Sequence, residues 1–316
     1  MKYFLFSIAL LFSLSFSVKA QPIDRFTVAQ DGSGDFTTVQ QAVNAVPDHR
    51  KKTTEIFIKK GIYKEKIVVA GSKKMVRFIG EDKNQTILTY DDFAAKKNKF
   101  GEEIGTSGSA SIYIYGDGFS AENLTFQNSS GPVGQAVAVW VTGDFSKFER
   151  CKFLGFQDTL YTYGGNSKQY YKDCYIEGTT DFIFGSATAV FEGCEIFCKK
   201  GGRYITAAST PDTCKYGYVF LNCKISGDAP DHSVNLGRPW RPFAKTVFLY
   251  CDLSKVIIAG GWDHWSKESN KQTAYYAEYK NTGKGYVPEK RQSWSHQLTE
   301  KEAEDYTVKQ ILGQIP

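Results

Sequence analysis

Through most of the chain, apolar and polar residues alternate in short runs, as in Ser111-Ile112-Tyr113-Ile114-Tyr115 and Ala136-Val137-Ala138-Val139-Trp140, and the runs are separated by Gly, Asn and Asp. Alternation with period two, bounded by turn residues, predicts short β-strands. Helical periodicity is nearly absent between Tyr63 and Ser295. It occurs at the ends. Phe36 to Val46 reads as an amphipathic helix closed by Pro47, placed to cover the open edge of a first coil, and a second helical stretch opens at Thr299 and runs to about Leu312.

A longer period lies beneath the short one. Five of the seven cysteines occupy one local pattern: FERCKF (148–153), KDCYI (172–176), FEGCEI (191–196), FLNCKI (220–225) and LYCDL (249–253). Their spacings are 23, 20, 29 and 28 residues, and repeats of this length mark a solenoid. Strand-rich repeats without crossover helices predict an all-β, single-domain, right-handed parallel β-helix, in which equivalent side chains of successive coils stack into ladders. The cysteine ladder is then a buried column of small apolar groups. No CxxC pair or histidine cluster accompanies it, so no metal site is expected. Seven is odd, and Cys198 and Cys214, which fall outside the ladder, are the candidates for a disulfide.

Residues 1–20 carry Lys2, an apolar run from Tyr3 to Phe16, and small residues before Gln21, the layout of a cleavable signal peptide. The run is short for a membrane span. The expectation is therefore a secreted or periplasmic domain over 21–316, cut near Ala20 and not held in a membrane. Losing Lys2 and Lys19 lowers the formal charge from +5 to +3. Without a Lys/Arg block, that weak positive charge speaks against a nucleic-acid partner and leaves room for a polyanion with spaced carboxylates. The sequons at Asn84, Asn123 and Asn128 are possible glycan acceptors in a host that glycosylates.

With the cysteine ladder as a ruler, Asp158 and Asp181 each lie seven residues after a ladder cysteine, and so 23 residues apart. They are expected at equivalent places on adjacent coils, about 4.8 Å apart if both point outward. Extrapolating the same 23 residues upstream brings Gln135 into the column. Either aspartate alone reads as a turn residue bonding its own backbone. As a pair in register beside Gln157, Gln135 and the apolar Phe182-Ile183-Phe184, they point to a site in which one carboxyl keeps a proton while its neighbour is ionised. His49, His232, His264 and His296 are scattered and no GxSxG elbow is present, which disfavours a Ser-His-Asp esterase.

Five segments, GIYKE (61–65), GQAVAV (134–139), GFQDTLY (155–161), GTTDFIFG (178–185) and LGRPW (236–240), resemble the signature blocks of the pectin methylesterase family, in the family's order. The resemblance covers about Phe26 to near the C-terminus. It implies hydrolysis of galacturonate methyl esters in pectin (homogalacturonan) by a monomer that needs no cofactor. Position by position it implies Asp181 as nucleophile, Asp158 as acid/base, Gln157 and Gln135 as oxyanion donors, and Arg238 holding Asp181 ionised and oriented. Trp240, Tyr161, Phe184 and Thr106 then bind substrate. Two departures, Thr180 in place of a frequent Val and the Gly164–Lys168 insertion after the third block, bear on subsite preference and not on the reaction. Two other readings remain open at this point: another β-helix pectin enzyme, either a lyase or a glycoside hydrolase, and a non-catalytic carbohydrate-binding solenoid.

Overall fold

The computed structural model describes residues 24–313, so the expected signal peptide lies outside the described residues. Its strands form three sheets of 11, 7 and 8 strands, and every strand ladder is parallel. Apart from the two end pairs of the 11-stranded sheet, sheet neighbours are non-consecutive in sequence, because the chain visits all three sheets once per coil before returning one rung higher. This is the right-handed parallel β-helix the repeat predicts. Among the described residues no helix is long and apolar enough to cross a membrane.

The cysteine motif has a local cause. Arg150, Asp173, Asn222 and Tyr250 have φ between 52° and 57°, and Gly193 has φ 62°. Each of these left-handed residues turns the chain from the 11-stranded to the 8-stranded sheet, and the cysteine that follows faces inward. The thiols of Cys174, Cys194, Cys223 and Cys251 donate to carbonyls of the coil below, those of Phe148, Tyr171, Phe191 and Phe220. Burial pushes Cys151, Cys174, Cys194 and Cys223 well above the ordinary thiol range, so these four thiols are neutral and unreactive. Beside it runs a stack of rings, Phe148–Tyr171–Phe191–Phe220–Phe248, with centroids 4.2–4.9 Å apart and planes within 13° of parallel.

Three expectations are corrected here. Cys198 and Cys214 are both free thiols. Cys198 is sealed inside the strand Glu195–Cys198, whereas the Cys214 thiol donates to the Gly165 carbonyl at 2.9 Å in the loop beside the 7-stranded sheet. The C-terminal stretch is not one helix but two short ones, Glu300–Ala303 and Val308–Leu312, each N-capped by a threonine. It lies along the flank of the 11-stranded sheet, packing Ala303, Ile311 and Leu312 against Val190, Val219 and Val247. The top of the coil stack is closed instead by Trp262 and by Arg291, which grips the fully buried Glu278 through Nε (2.6 Å) and Nη2 (3.0 Å). Of the sequons, Asn128 is buried, donating to three backbone carbonyls, and Asn123 is committed to the Gly80 carbonyl, which leaves Asn84 exposed.

The N-terminal cap is as expected, a helix over Val39–Ala45 that buries Val39, Ala42 and Val43. Its first amides are received by Glu65, whose two oxygens accept from Val39 and Gln40 at 2.8 and 3.0 Å. The GIYKE segment is therefore structural: Glu65 caps this helix and the buried Tyr63 hydroxyl donates to the Lys59 carbonyl.

Candidate active site

The 7-stranded sheet carries the site on its outer face. Two of its strands, Leu160–Thr162 and Thr180–Gly185, are in register at Leu160↔Ile183 and Tyr161↔Phe184, an offset of 23 residues that places Asp158 and Asp181 on the same rung of adjacent coils. Both aspartates are in the left-handed region, at φ 65° and 50°. Asp tolerates that region better than bulky residues do. The consequence is a broken alternation: in each coil the aspartate faces the groove, the next two residues (Thr159-Leu160, Phe182-Ile183) both enter the interior, and the fourth, Tyr161 or Phe184, faces out again. At Asp181 this coincides with a register shift between Thr180 and Ile183 against the strand Tyr204–Ala208, a bulge that re-aims the side chain. Gly185 closes the segment at φ 123°, where a Cβ would sit 1.9 Å from the Thr162 carbonyl oxygen.

Asp158, Asp181, Gln157, Gln135, Arg238, Trp240, Tyr161, Phe184 and Thr106 all line one groove of about 310 Å³. One detail differs from expectation. Gln135 bridges Gln157 and not Asp158, because the coil between them has a different length, as the 21-residue offset of Val139↔Leu160 also records. The side-chain amides of both glutamines have no hydrogen-bond partner among the described residues. They are thus free to donate into the groove.

Arg238 meets Asp181 in a forked pair, Nε to Oδ1 at 3.0 Å and Nη2 to Oδ2 at 2.6 Å. Asp158 has no such partner among the described residues. Burial pushes the Asp158 carboxyl well above the ordinary carboxylate range, the Asp181 charge adds to that, and Arg238 opposes it. Asp181 is also raised, again by burial first, but the hydrogen bond and charge of Arg238 work against the rise. Arg238 opposes the rise without cancelling it, because the loss of water around the pair outweighs the ion pair. What survives is the order: Asp181 loses its proton first, and the pair passes through a state with Asp181 charged and Asp158 protonated.

Several groups in the groove wall and behind it escape sequence reasoning. Trp265 and Tyr204 sandwich the Arg238 guanidinium, with its carbon 3.7 and 4.0 Å from the two ring centroids. Asp263 ties both rings down, accepting from the Trp265 amide at 2.6 Å and the Tyr204 hydroxyl at 3.4 Å. Ser107 and Ala207 complete the wall. The WDHW segment (262–265) signals only aromatic density, and nothing in its spacing aligns it with the aspartate rungs. Among the described residues no group of three or more His, Cys, Asp or Glu side chains is arranged to hold a metal.

Comparison with known proteins points to one family. A pectinesterase family model matches residues 25–314. Pectinesterase 31 of Arabidopsis thaliana is 42% identical over 282 residues, covering 87% of this chain and 88% of the relative. Probable pectinesterase/pectinesterase inhibitor 64 of the same plant is 39% identical, but this chain spans only 50% of its length. Among solved structures, the pectin methylesterase from carrot superposes with a TM-score of 0.83 at 35% identity, over 91% of this chain and 93% of that one. A pectin methylesterase in complex with a hexasaccharide gives 0.80 at 30% identity, over 91% and 96%.

Proposed function

On the premise that the chain belongs to the pectinesterase family and is a carboxylic ester hydrolase acting on the methyl esters of pectin, we propose how its own side chains divide the work. The ionised Asp181 attacks the carbonyl carbon of a methyl-esterified galacturonate. Arg238 occupies one lone pair on each Asp181 oxygen, and the remaining pairs stay available for attack. The carbonyl oxygen becomes an oxyanion and takes hydrogen bonds from the free amides of Gln157 and Gln135. Asp158, neutral because it is buried beside a carboxylate, protonates the departing methoxy oxygen, and methanol leaves. The sugar carboxyl is then held as an anhydride on Asp181. Asp158, now charged, takes a proton from water as that water attacks the sugar carbonyl; collapse frees the galacturonate and Asp181, with the proton back on Asp158.

The observation that carries this reading is the asymmetry of two carboxyls on one rung, one gripped by a cation and the other not. Trp240, Tyr161, Phe184 and Thr106 supply the walls that hold the sugar. The layout of residues 1–20 supports extending the proposal to export, with the protein working as a monomer on pectin outside the cytoplasm. The direct test is incubation with methyl-esterified pectin. The proposal expects methanol without unsaturated products or new reducing ends, and chain cleavage without methanol would reverse it in favour of a lyase or glycoside hydrolase. Gln157→Ala is expected to lower kcat by about 10²–10³-fold with little change in KM, the cost of one oxyanion donor. A rise in KM at constant kcat in that variant means Gln157 only binds substrate.

A further inference from the structure

Arg238 follows the short strand Asn235–Gly237, and its guanidinium lies between the faces of Trp265 and Tyr204. Attraction between a cation and two rings sets the plane of the guanidinium, so the fork onto Asp181 is only as firmly aimed as the rings are fixed. Both rings answer to one carboxylate. Asp263 Oδ1 accepts from the Trp265 backbone amide at 2.6 Å, and Oδ2 accepts from the Tyr204 hydroxyl at 3.4 Å. Trp265 and Ser266 both stand in the left-handed region, at φ 59° and 51°. A residue as bulky as tryptophan takes that conformation only where its surroundings impose it, and such strain gathers at working sites. The bond from Asp263 supplies that constraint. The excursion that carries Asp263 is in turn bound to the segment that carries Arg238. The Leu236 amide donates to the Gly261 carbonyl at 2.8 Å and the Asp263 amide to the Gly237 carbonyl at 3.2 Å. The buried side-chain amide of Asn270 joins them a second time, donating to the carbonyls of Pro239 and His264 at 3.3 and 3.1 Å.

We propose that Asp263 is a positioning residue for ester hydrolysis: it holds Trp265 and Tyr204 as a clamp that aims the Arg238 fork at Asp181, and its negative charge competes with Asp181 for that cation. The proposal rests on the reading of Asp181 as nucleophile. Asp263 is not among the residues that line the groove, so it acts through other side chains. Electrostatics run the same way. Burial works against the Arg238 cation, and the bond and charge of Asp181, then Tyr204 and Asp263, sustain it. Burial raises the Asp181 carboxyl, Arg238 opposes the rise, and the Asp263 charge adds to it. The other ionisable groups around Asp181 are Asp158 on the neighbouring coil and Tyr204 and Tyr161, the two tyrosines neutral because burial raises them. His264, on the same excursion as Asp263, is turned to Glu268, 3.2 Å away. Asp158 answers to burial, Asp181 and Arg238. The Asp263 charge thus sets how far into acid the nucleophile stays ionised, and leaves the proton donor alone.

The test is the pH profile of kcat/KM on methyl-esterified pectin for Asp263→Asn and Asp263→Ala, with thermal melts to establish that each is folded. Asparagine keeps both contacts, since its oxygen accepts from the Trp265 amide and its NH2 group donates to the Tyr204 hydroxyl oxygen, but it carries no charge. Asp263→Asn is expected to keep most of kcat at the pH optimum and to move the acid limb to lower pH, because Asp181 releases its proton more readily without a second carboxylate near Arg238. The alkaline limb, set by Asp158, stays in place. Asp263→Ala removes the clamp as well as the charge, and its kcat at the optimum is expected to fall by about 10–10²-fold, the scale of displacing a reacting group by about 1 Å. An acid limb that does not move in Asp263→Asn overturns the proposal. So does a kcat in Asp263→Asn as low as that of Asp263→Ala, or an unchanged kcat in the alanine variant. Should alanine not fold, the acid limb of Asp263→Asn decides alone. Absence of methanol from the unmodified protein, by contrast, is a failure of the pectin reading itself.

Discussion

Replacing Asp181 by asparagine is expected to cut methanol release by about 10⁴-fold or more, the scale of losing the nucleophile of a covalent mechanism, while the protein stays folded. Asparagine keeps the shape of the side chain and tolerates the left-handed backbone at this position, φ 50°, better than alanine does. The Arg238 guanidinium loses its ion pair but keeps both aromatic faces, Trp265 and Tyr204, and remains partly hydrated at 21% side-chain exposure. The charge left behind is therefore cheaper than a fully buried one. Methanol assays and thermal melts on the same preparation decide the matter. Turnover within tenfold of the unmodified enzyme removes Asp181 from the chemistry, and a collapsed melting transition means the pair is structural.

How far such a site can be read from sequence depends on whether consecutive coils have equal length. Between Asp158 and Asp181 they do, and the same turn recurs, so counting from one cysteine to the next places both carboxyls on one rung. The coil before it is shorter, and the same count misplaces Gln135 by one position while still bringing it to the groove. Tyr204, Asp263 and Trp265 are invisible to counting. The first lies on a strand beyond the bulge at Asp181, and the other two sit in an excursion after Gly261, where no ladder cysteine keeps register. Cys198 and Cys214 mislead for a related reason. Proximity in sequence means little where the chain circles the solenoid: Cys198 ends in the 8-stranded sheet and Cys214 in a loop beside the 7-stranded one. The C-terminal segment shows an amphipathic pattern, but whether such a stretch closes an end or covers a flank is decided by where the last coil leaves an apolar surface, here around Val190, Val219 and Val247.

Asp158→Asn separates activity from stability, and the two are expected to move in opposite directions. Removing the proton donor costs about 10²–10⁴-fold in kcat on a methyl ester. A phenyl ester, whose phenolate departs without a proton, is expected to keep a burst of leaving group that Asp181→Asn abolishes. Stability responds through the raised carboxyl of Asp158. At low pH, below the ordinary carboxylate range, both the folded and the unfolded chain hold this proton and the residue is neutral in its effect. As pH rises past that range, the unfolded chain releases the proton while the folded protein retains it, so stability falls, by at most about 1.4 kcal/mol per pH unit. The fall ends once pH passes the folded-state value. Asparagine carries no such proton. The variant is therefore expected to match the parent near pH 4 and to exceed it progressively toward neutral pH, in urea melts across the range. A variant equally or less stable at neutral pH refutes the claim that Asp158 is kept protonated at the expense of folding. Loss of the burst with the phenyl ester in Asp158→Asn refutes its role as proton donor.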